Sequence, residues 1–429
     1  MSARDILHVD MNAFYCSCHA AEEPDKYEHR PTAVAGNPKT RHGILVTASY
    51  EARALGVRAT MTVREALRIC PHLLLIEPNF VLYRHYSRLF FDIVRRFTPL
   101  VEVVSIDECF ADVTQSHLFG EPQQLAKTLQ TALWDELHLP ASVGIGDNKF
   151  LAKMASDFRK PRGCFELRRD RLEQDLWPLA IRQMYGVGER SASRFVERGV
   201  CTIGDLARLH PAEAKRWFGA RGVELQQWAS GEDLREVQPH PGPPKSIGHS
   251  TTLASDCRDL EEMRRTLLNL ADGVGRRTRK RNLVGRTVQL TVRYTSMETI
   301  TRVTTLKQKT DLTEDIYHAA QQLLRAAWNG KRPVRLLGVA LGQLSPYEDE
   351  EEDVQLTLFD VGEGATGSSL DALKRKEKRH RLSQVTDALR DKYGENIVMR
   401  GRMALPSESN RLRDKKHRGT SLERTDEPD

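Results

Sequence analysis

Two acidic sites in this 429-residue chain have the residue types and setting for metal chemistry. The run Ser105-Ile106-Asp107-Glu108-Cys109 places two carboxylates side by side, and a third stands far upstream at Asp10. Each site follows an apolar, strand-like stretch: Ile6-Leu7-His8-Val9 before Asp10, and Val101-Glu102-Val103-Val104 before Ser105. This is the pattern of carboxylates at the ends of neighbouring buried strands. Such a cluster offers hard oxygen ligands, which suit magnesium. That ion keeps water and substrate phosphates in an octahedral shell, so few protein carboxylates and a nucleoside triphosphate can complete a pair of sites.

The elements that carry these residues must solve a geometric problem. Consecutive strand residues point to opposite faces, so Asp107 and Glu108 can converge only if the chain bends between them. A second short strand, predicted from Cys109 to Val113, makes a hairpin bend there plausible. The alternative is a polar Asp-Glu turn without chemistry, and the residues alone leave both open.

A resemblance decides the context. His8-Val9-Asp10-Met11-Asn12-Ala13-Phe14-Tyr15 and Val104-Ser105-Ile106-Asp107-Glu108 resemble the corresponding motifs of Y-family translesion DNA polymerases. Thr47-Ala48-Ser49-Tyr50-Glu51-Ala52-Arg53, Gly56-Val57-Arg58, Cys70-Pro71-His72-Leu73 and Asn148-Lys149-Phe150-Leu151-Ala152-Lys153 occur in that family's order and approximate spacing. The similarity is to the DNA polymerase IV (DinB) branch and covers residues 5 to 345, with a weaker echo beyond. It departs from the family at three places: many members carry proline where Thr62 stands and alanine or glycine where Cys109 stands, and Val46 is bulkier than some counterparts.

The resemblance implies an α/β and α+β multidomain fold: a right-hand polymerase with a catalytic palm (1–19 and 78–165), fingers (20–77), a helical thumb (166–231), a linker (232–244), a βαββαβ-like little finger (245–346) and a largely disordered tail (347–429). It implies that Asp10 and Asp107 bridge two magnesium ions, that Glu108 completes the site at the primer 3′ hydroxyl, and that Met11 lends its carbonyl oxygen. Phe14, Tyr15, Thr47, Tyr50, Arg53 and Lys160 would meet the incoming nucleotide, with Tyr15 as the ring that excludes a ribose 2′ hydroxyl and the cations facing phosphate. Met184-Tyr185-Gly186-Val187-Gly188 resembles a helix-hairpin-helix, in which Gly186, Val187 and Gly188 would present backbone amides to a DNA phosphate.

Gln238-Pro239-His240-Pro241-Gly242-Pro243-Pro244 cannot sustain a helix or a central strand and marks a linker. Beyond it, Thr287 to Tyr294 alternates strictly, with Val288, Leu290, Val292 and Tyr294 on one face. Strands near 246–253, 299–306 and 334–343 and helices near 259–280 and 312–328 complete that domain. The basic run Arg276-Arg277-Thr278-Arg279-Lys280-Arg281 is a candidate phosphate-binding surface, against the simpler reading of a solvated face. After an acidic block at 348–353, Gln355-Leu356-Thr357-Leu358-Phe359 resembles the bacterial sliding-clamp-binding pentapeptide, with Gln355, Leu356, Leu358 and Phe359 as anchors. Residues 370 to 399 hold a basic cluster and an amphipathic stretch.

Bulk properties agree. A net charge of +6 suits a polyanionic partner, and 39% hydrophobic residues allow a sizeable core. Seven cysteines without paired spacing argue against disulfides and zinc, and Cys16 and Cys18 read as reduced thiols. No apolar run reaches membrane length and the N-terminus lacks a signal sequence, so a cytoplasmic, nucleoid-associated protein is expected. The expected activity is error-prone, template-directed DNA synthesis without a proofreading exonuclease. Primer-template DNA, deoxynucleoside triphosphates and a sliding clamp are the expected partners of a monomer. A metal-dependent nuclease and a non-catalytic, clamp-associated DNA-binding subunit are the alternatives. The nuclease would need neither a ribose-excluding ring nor triphosphate-binding cations, and the non-catalytic subunit would not need all three carboxylates.

Overall fold

The computed structural model describes residues 4–36, 43–116, 118, 120–240, 242–347 and 365–404, with the backbone alone for 365–377, 402 and 404. The described residues form two compact units, one up to His240 and the other from Gly242. The division falls in the proline-rich segment, where ring-locked backbone favours neither helix nor ladder.

In chain order the first unit runs β1 (Ile6–Met11), α1 (Phe14–Glu22), α2 (Pro24–Tyr27), β2 (Thr32–Ala35), β3 (Leu45–Ala48), α3 (Tyr50–Ala54), α4 (Val63–Ile69) and β4 (Leu74–Ile76). There follow α5 (Phe80–Arg95), β5 (Val101–Val103), β6 (Glu108–Asp112), α6 (Pro122–Leu137), β7 (Ala141–Gly146), α7 (Lys149–Phe158), β8 (Cys164–Leu167), α8 (Glu189–Val196), α9 (Ile203–Arg208) and α10 (Pro211–Ala229). Five strands make one sheet in the order β5-β6-β1-β7-β8, and a smaller sheet has the order β3-β2-β4.

The central strand β1 is buried on both faces, with a different task for each. Leu7, Val9 and Met11 join a core with Tyr83, Phe90 and Val94 of α5 and Leu125, Leu129 and Leu133 of α6. The alternate residues Ile6, His8 and Asp10 face the other way, where Ile6 packs with Phe110 of β6 and Ala152 of α7. Period-two alternation thus gives one face of the strand to packing and the other to chemistry. Helix α7 lies very close to β7, because a β-carbon at Gly144 would stand 2.0 Å from the Ala152 carbonyl oxygen and 2.2 Å from the Ser156 nitrogen. Only glycine permits that approach.

The smaller sheet has its own core of Ala33, Ala35, Leu45 and Ala48, closed by Val57, Val63 and Ala66. Thr62 caps α4 in a reciprocal arrangement with Glu65, a function its hydroxyl supplies and a proline could not. The helices after β8 gather around Phe195, Ile203, Leu206, Leu225 and Trp228, a core that also takes in Phe150 and Leu151 of α7.

The second unit runs β9 (Ser246–Cys257), α11 (Leu260–Lys280), β10 (Leu283–Tyr294), β11 (Thr299–Thr310), α12 (Thr313–Ala327), β12 (Val334–Gly342) and β13 (Ser345–Pro346), then α13 (Ala365–Tyr393) and α14 (Gly401–Ala404). Its main sheet is antiparallel in the order β11-β10-β12-β9, the expected βαββαβ arrangement. Val288, Leu290, Val292 and Tyr294 are all buried against α11 and α12, as their alternation predicts. All seven cysteines are free thiols. No helix among the described residues is long and apolar enough to cross a membrane.

Candidate active site

The hairpin between β5 and β6 resolves the geometric problem of adjacent carboxylates. Strand β6 begins at Glu108, one residue earlier than the sequence suggests, and Glu108 lies directly opposite Asp10 of β1. Residues opposite one another on an antiparallel pair share a face, so these two carboxylates point together. Asp107 comes from the bend just before the strand, where alternation no longer applies. Its carbonyl accepts from the Met11 amide at 2.9 Å, and its side chain accepts from the Ser105 hydroxyl at 2.5 Å. The three acids therefore reach one end of the sheet from two strands and a turn.

Their electrostatics differ. Burial raises the Asp107 carboxyl above the usual carboxylate range, and the neighbouring charges of Asp10 and Glu108 add to the rise. Burial opposes charge on Glu108 as well, but the hydrogen bond from His8 and the ammonium of Lys153 outweigh it and hold that carboxyl at about 2. Lys153 Nζ stands 2.6 Å from Glu108 Oε2 and 3.4 Å from Asp10 Oδ2. Lys160 Nζ stands 2.9 Å from Asp10 Oδ1 and 2.7 Å from Asp157. Among the described residues no three acidic, histidine or cysteine side chains converge on one point as they stand. Asp10 and Glu108 are turned onto ammonium groups instead. The donor set nevertheless fits hard divalent cations, since it is all oxygen and Asp107 carries like-charge repulsion that a cation relieves.

Sequence reasoning passed over His8 and gave Lys153 no role. His8 is fully buried, with Nδ1 2.9 Å from the Ser156 hydroxyl and Nε2 3.3 Å from Glu108 Oε2. Ser156 in turn donates to the Lys153 carbonyl at 2.8 Å. The signals were present in His8, two residues before Asp10 on the same strand face, and in the spacing of Lys149 and Lys153 along one helix face. Lys149, one turn earlier, is occupied elsewhere, bound by Glu102 at 2.6 Å.

The proposed nucleotide contacts separate into two groups. Tyr15 is half-buried on α1 against Phe80 and Tyr83, with ring centroids 6.1 and 4.5 Å away. Burial pushes its hydroxyl up to about 12, with a further rise from the nearby charge of Asp107. Phe14 is placed differently: it is only 2% exposed and belongs to the core beneath Tyr15. Thr47 is buried on β3, while Arg53 lies over the Tyr50 ring at 4.7 Å and donates to the Ala48 carbonyl. Burial raises the Tyr50 hydroxyl, against the opposing charges of Arg53 and Lys160.

Gly186 has φ of +88°, the left-handed region, and Gly188 precedes α8 as its N-cap with no side-chain cap. Val187 between them is buried, so only backbone can face outward there. The basic run of α11 has a different fate from a bare surface. Arg276 Nη2 lies 2.7 Å from Asp391, and the same guanidinium also bonds Glu395. Arg279 Nε lies 2.7 Å from Asp387 and its Nη1 donates to the Asp311 carbonyl. Arg277 donates to the Gly248 carbonyl, whereas Lys280 and Arg281 are exposed. Gln355, Leu356, Leu358 and Phe359 lie outside the described residues.

Comparison with known proteins accounts for this assembly. Residues 9–157 match the impB/mucB/samB family, and residues 244–358 match the C-terminal domain of that family. The chain is 41% identical to DNA polymerase IV of Oceanobacillus iheyensis over 92% of its own length and 91% of that protein. It is 38% identical to DNA polymerase IV of Clostridium kluyveri over 95% of its length and 100% of that protein. It is 40% identical to DNA polymerase IV 1 of Bacillus subtilis over 98% and 96%. A solved Y-family DNA polymerase chimera superposes with a TM-score of 0.72 at 25% identity, covering 79% of this chain and 98% of that one. The chain belongs to the Y family of DNA polymerases, in its DNA polymerase IV branch, and is a DNA-directed DNA polymerase.

Proposed function

We propose that this polymerase adds deoxynucleotides to a primer 3′ hydroxyl at the Asp10–Asp107–Glu108 cluster, without proofreading and past damaged template bases. The observation that carries the reading is the register of Asp10 opposite Glu108, with Asp107 delivered from the intervening bend. These three carboxylates and the Met11 carbonyl would hold two magnesium ions, whose chemistry is to neutralise charge on the attacking 3′ oxygen and on the triphosphate. Tyr50, Arg53 and Lys160 orient the triphosphate, offsetting its charge with the guanidinium and ammonium. Tyr15, braced by Phe80 and Tyr83, stands where a ribose 2′ hydroxyl would collide with it, and Phe14 fixes its base from the core. The catalytic sheet acts as palm, the β3-β2-β4 lobe as fingers, and the helices after β8 as a thumb whose Gly186-Val187-Gly188 backbone holds DNA without reading sequence.

The little finger is the second unit, and the Gln355 to Phe359 segment is the anchor for a bacterial sliding clamp, with the protein otherwise a monomer. Support for the anchor is its residue pattern alone. Replacing Gln355, Leu358 and Phe359 with alanine should abolish stimulation by clamp and loader while clamp-free extension is unchanged. Primer extension on intact and lesion-bearing templates, with magnesium and the four deoxynucleotides, tests the reading as a whole. Growth of the primer past a lesion without excision of a mispaired end supports it, and strand degradation in place of growth would replace it with a nuclease.

A further inference from the structure

The acidic cluster is not bare. Helix α7 begins at the Asn148 cap, whose side chain accepts from the Leu151 amide, and crosses the sheet at the glycines of β7. That crossing sets Lys153 over the junction of β1 and β6. Its ammonium bridges Glu108 Oε2 at 2.6 Å and Asp10 Oδ2 at 3.4 Å, and its side chain is only 13% exposed. Asp10 is thereby held on both oxygens, by Lys153 on one and Lys160 on the other.

We infer that Lys153 is a built-in counter-cation: it holds Asp10 and Glu108 together before a divalent ion enters, and it must leave their oxygens for that ion to bind. The inference rests on the metal reading above. It makes Lys153 a positioning residue that sets how tightly, and how selectively against the empty state, the cluster takes a cation. The argument is electrostatic. An ammonium at hydrogen-bond distance satisfies a carboxylate with one positive charge, whereas a divalent ion would bring two. The lone pairs directed at Lys153 are those a shared metal would use, so entry of the ion includes the cost of displacing the lysine. Without the lysine, Asp10 and Glu108 repel one another across adjacent strands, which raises the free energy of the empty site more than that of the filled one. Removing the ammonium should therefore weaken the metal-free fold and strengthen cation binding. A side chain that merely packs would weaken both.

The test uses the full-length protein without DNA, with manganese as the probe ion and binding followed by electron paramagnetic resonance of the free ion. Thermal melting in chelator is measured alongside. Lys153→Met, which keeps the aliphatic stem, should bind manganese about tenfold tighter than wild type, equivalent to about 1.4 kcal/mol, while melting lower in chelator. Lys153→Arg, which restores a cation, should return both values toward wild type. Unchanged or weaker manganese binding by a folded Lys153→Met, with wild type binding normally, overturns the inference and leaves the metal reading standing. Lys153→Gln, isosteric in part and neutral, gives the same comparison should Lys153→Met fail to fold. Manganese binding that survives Asp107→Asn undiminished would remove the metal reading and this inference with it.

Discussion

The acidic cluster of the first unit and the basic run of the second are two charge features that the fold treats in opposite ways. Arg276 and Arg279 are matched by Asp387, Asp391 and Glu395 of the C-terminal helix segment, and Arg390 of that segment bonds Asp272 of α11 at 2.9 Å. Arg400 bonds Glu314, and His380 stacks on Tyr347 with ring centroids 4.4 Å apart. Arg276, Arg279, Arg390 and Arg400 each have an acidic partner within the same unit. In the first unit Lys153 and Lys160 face Asp10, Glu108 and Asp157, while among the described residues no ion pair forms at Asp107, which accepts from the Ser105 hydroxyl and has a carboxyl raised by burial and its neighbours. A closed network ties elements together, whereas on the proposed reading the acidic cluster takes up ions and phosphates. The lesson is that a run of like charge in a sequence does not show which of its members the fold pairs internally.

That contrast can be broken most severely by withdrawing the cations. Chelation should stop nucleotide addition completely and restore it on adding magnesium, while primer-template binding, followed by fluorescence anisotropy, changes less than about twofold because backbone contacts hold DNA. Arg276→Ala comes next. It takes the guanidinium away from Glu395 and Asp391 while Asp387 keeps Arg279, and should destabilise the second unit by about 2 kcal/mol in urea unfolding, the scale of a lost hydrogen bond to a charged group. Tyr15→Ala should lower the preference for deoxyribonucleotides over ribonucleotides by tenfold or more, about 1.4 kcal/mol, in competing single-nucleotide incorporations. The smallest effect belongs to the pair Arg276→Gln with Arg279→Gln: the log-log salt slope of DNA binding should shift by less than roughly 0.9, the value of one lost phosphate contact. A larger shift would mean that these arginines leave their acidic partners to meet DNA.

The second unit was legible in the sequence where one face alone is buried. Val288, Leu290, Val292 and Tyr294 announced both the strand and its buried side, because a slip of one residue would expose all four. The acidic cluster was legible as a motif but not as geometry, since the convergence of Asp107 and Glu108 depends on a bend that strand periodicity does not describe. The pairing of the basic run was hidden for a different reason. Arg276 meets Asp391 across 115 residues, and local composition holds no trace of so distant a partner. The tail likewise carries the helix Ala365–Tyr393, whose acidic positions make sense only against α11. Lys153 and His8 went unassigned because their roles follow from the close approach of α7 to β7, which the two glycines allow without advertising it.

The central claim is that the charges of Asp10, Asp107 and Glu108 perform the chemistry while other surfaces hold the DNA. Glu108→Gln tests it most directly, since it preserves shape and hydrogen bonding and removes only the charge. Rapid-quench measurement of a single nucleotide addition, with primer-template affinity measured on the same preparation, should give a rate lower by a factor of about 10²–10³ or more with affinity within about twofold of wild type. A near-normal rate, or a rate loss that follows a loss of DNA affinity, would contradict the account.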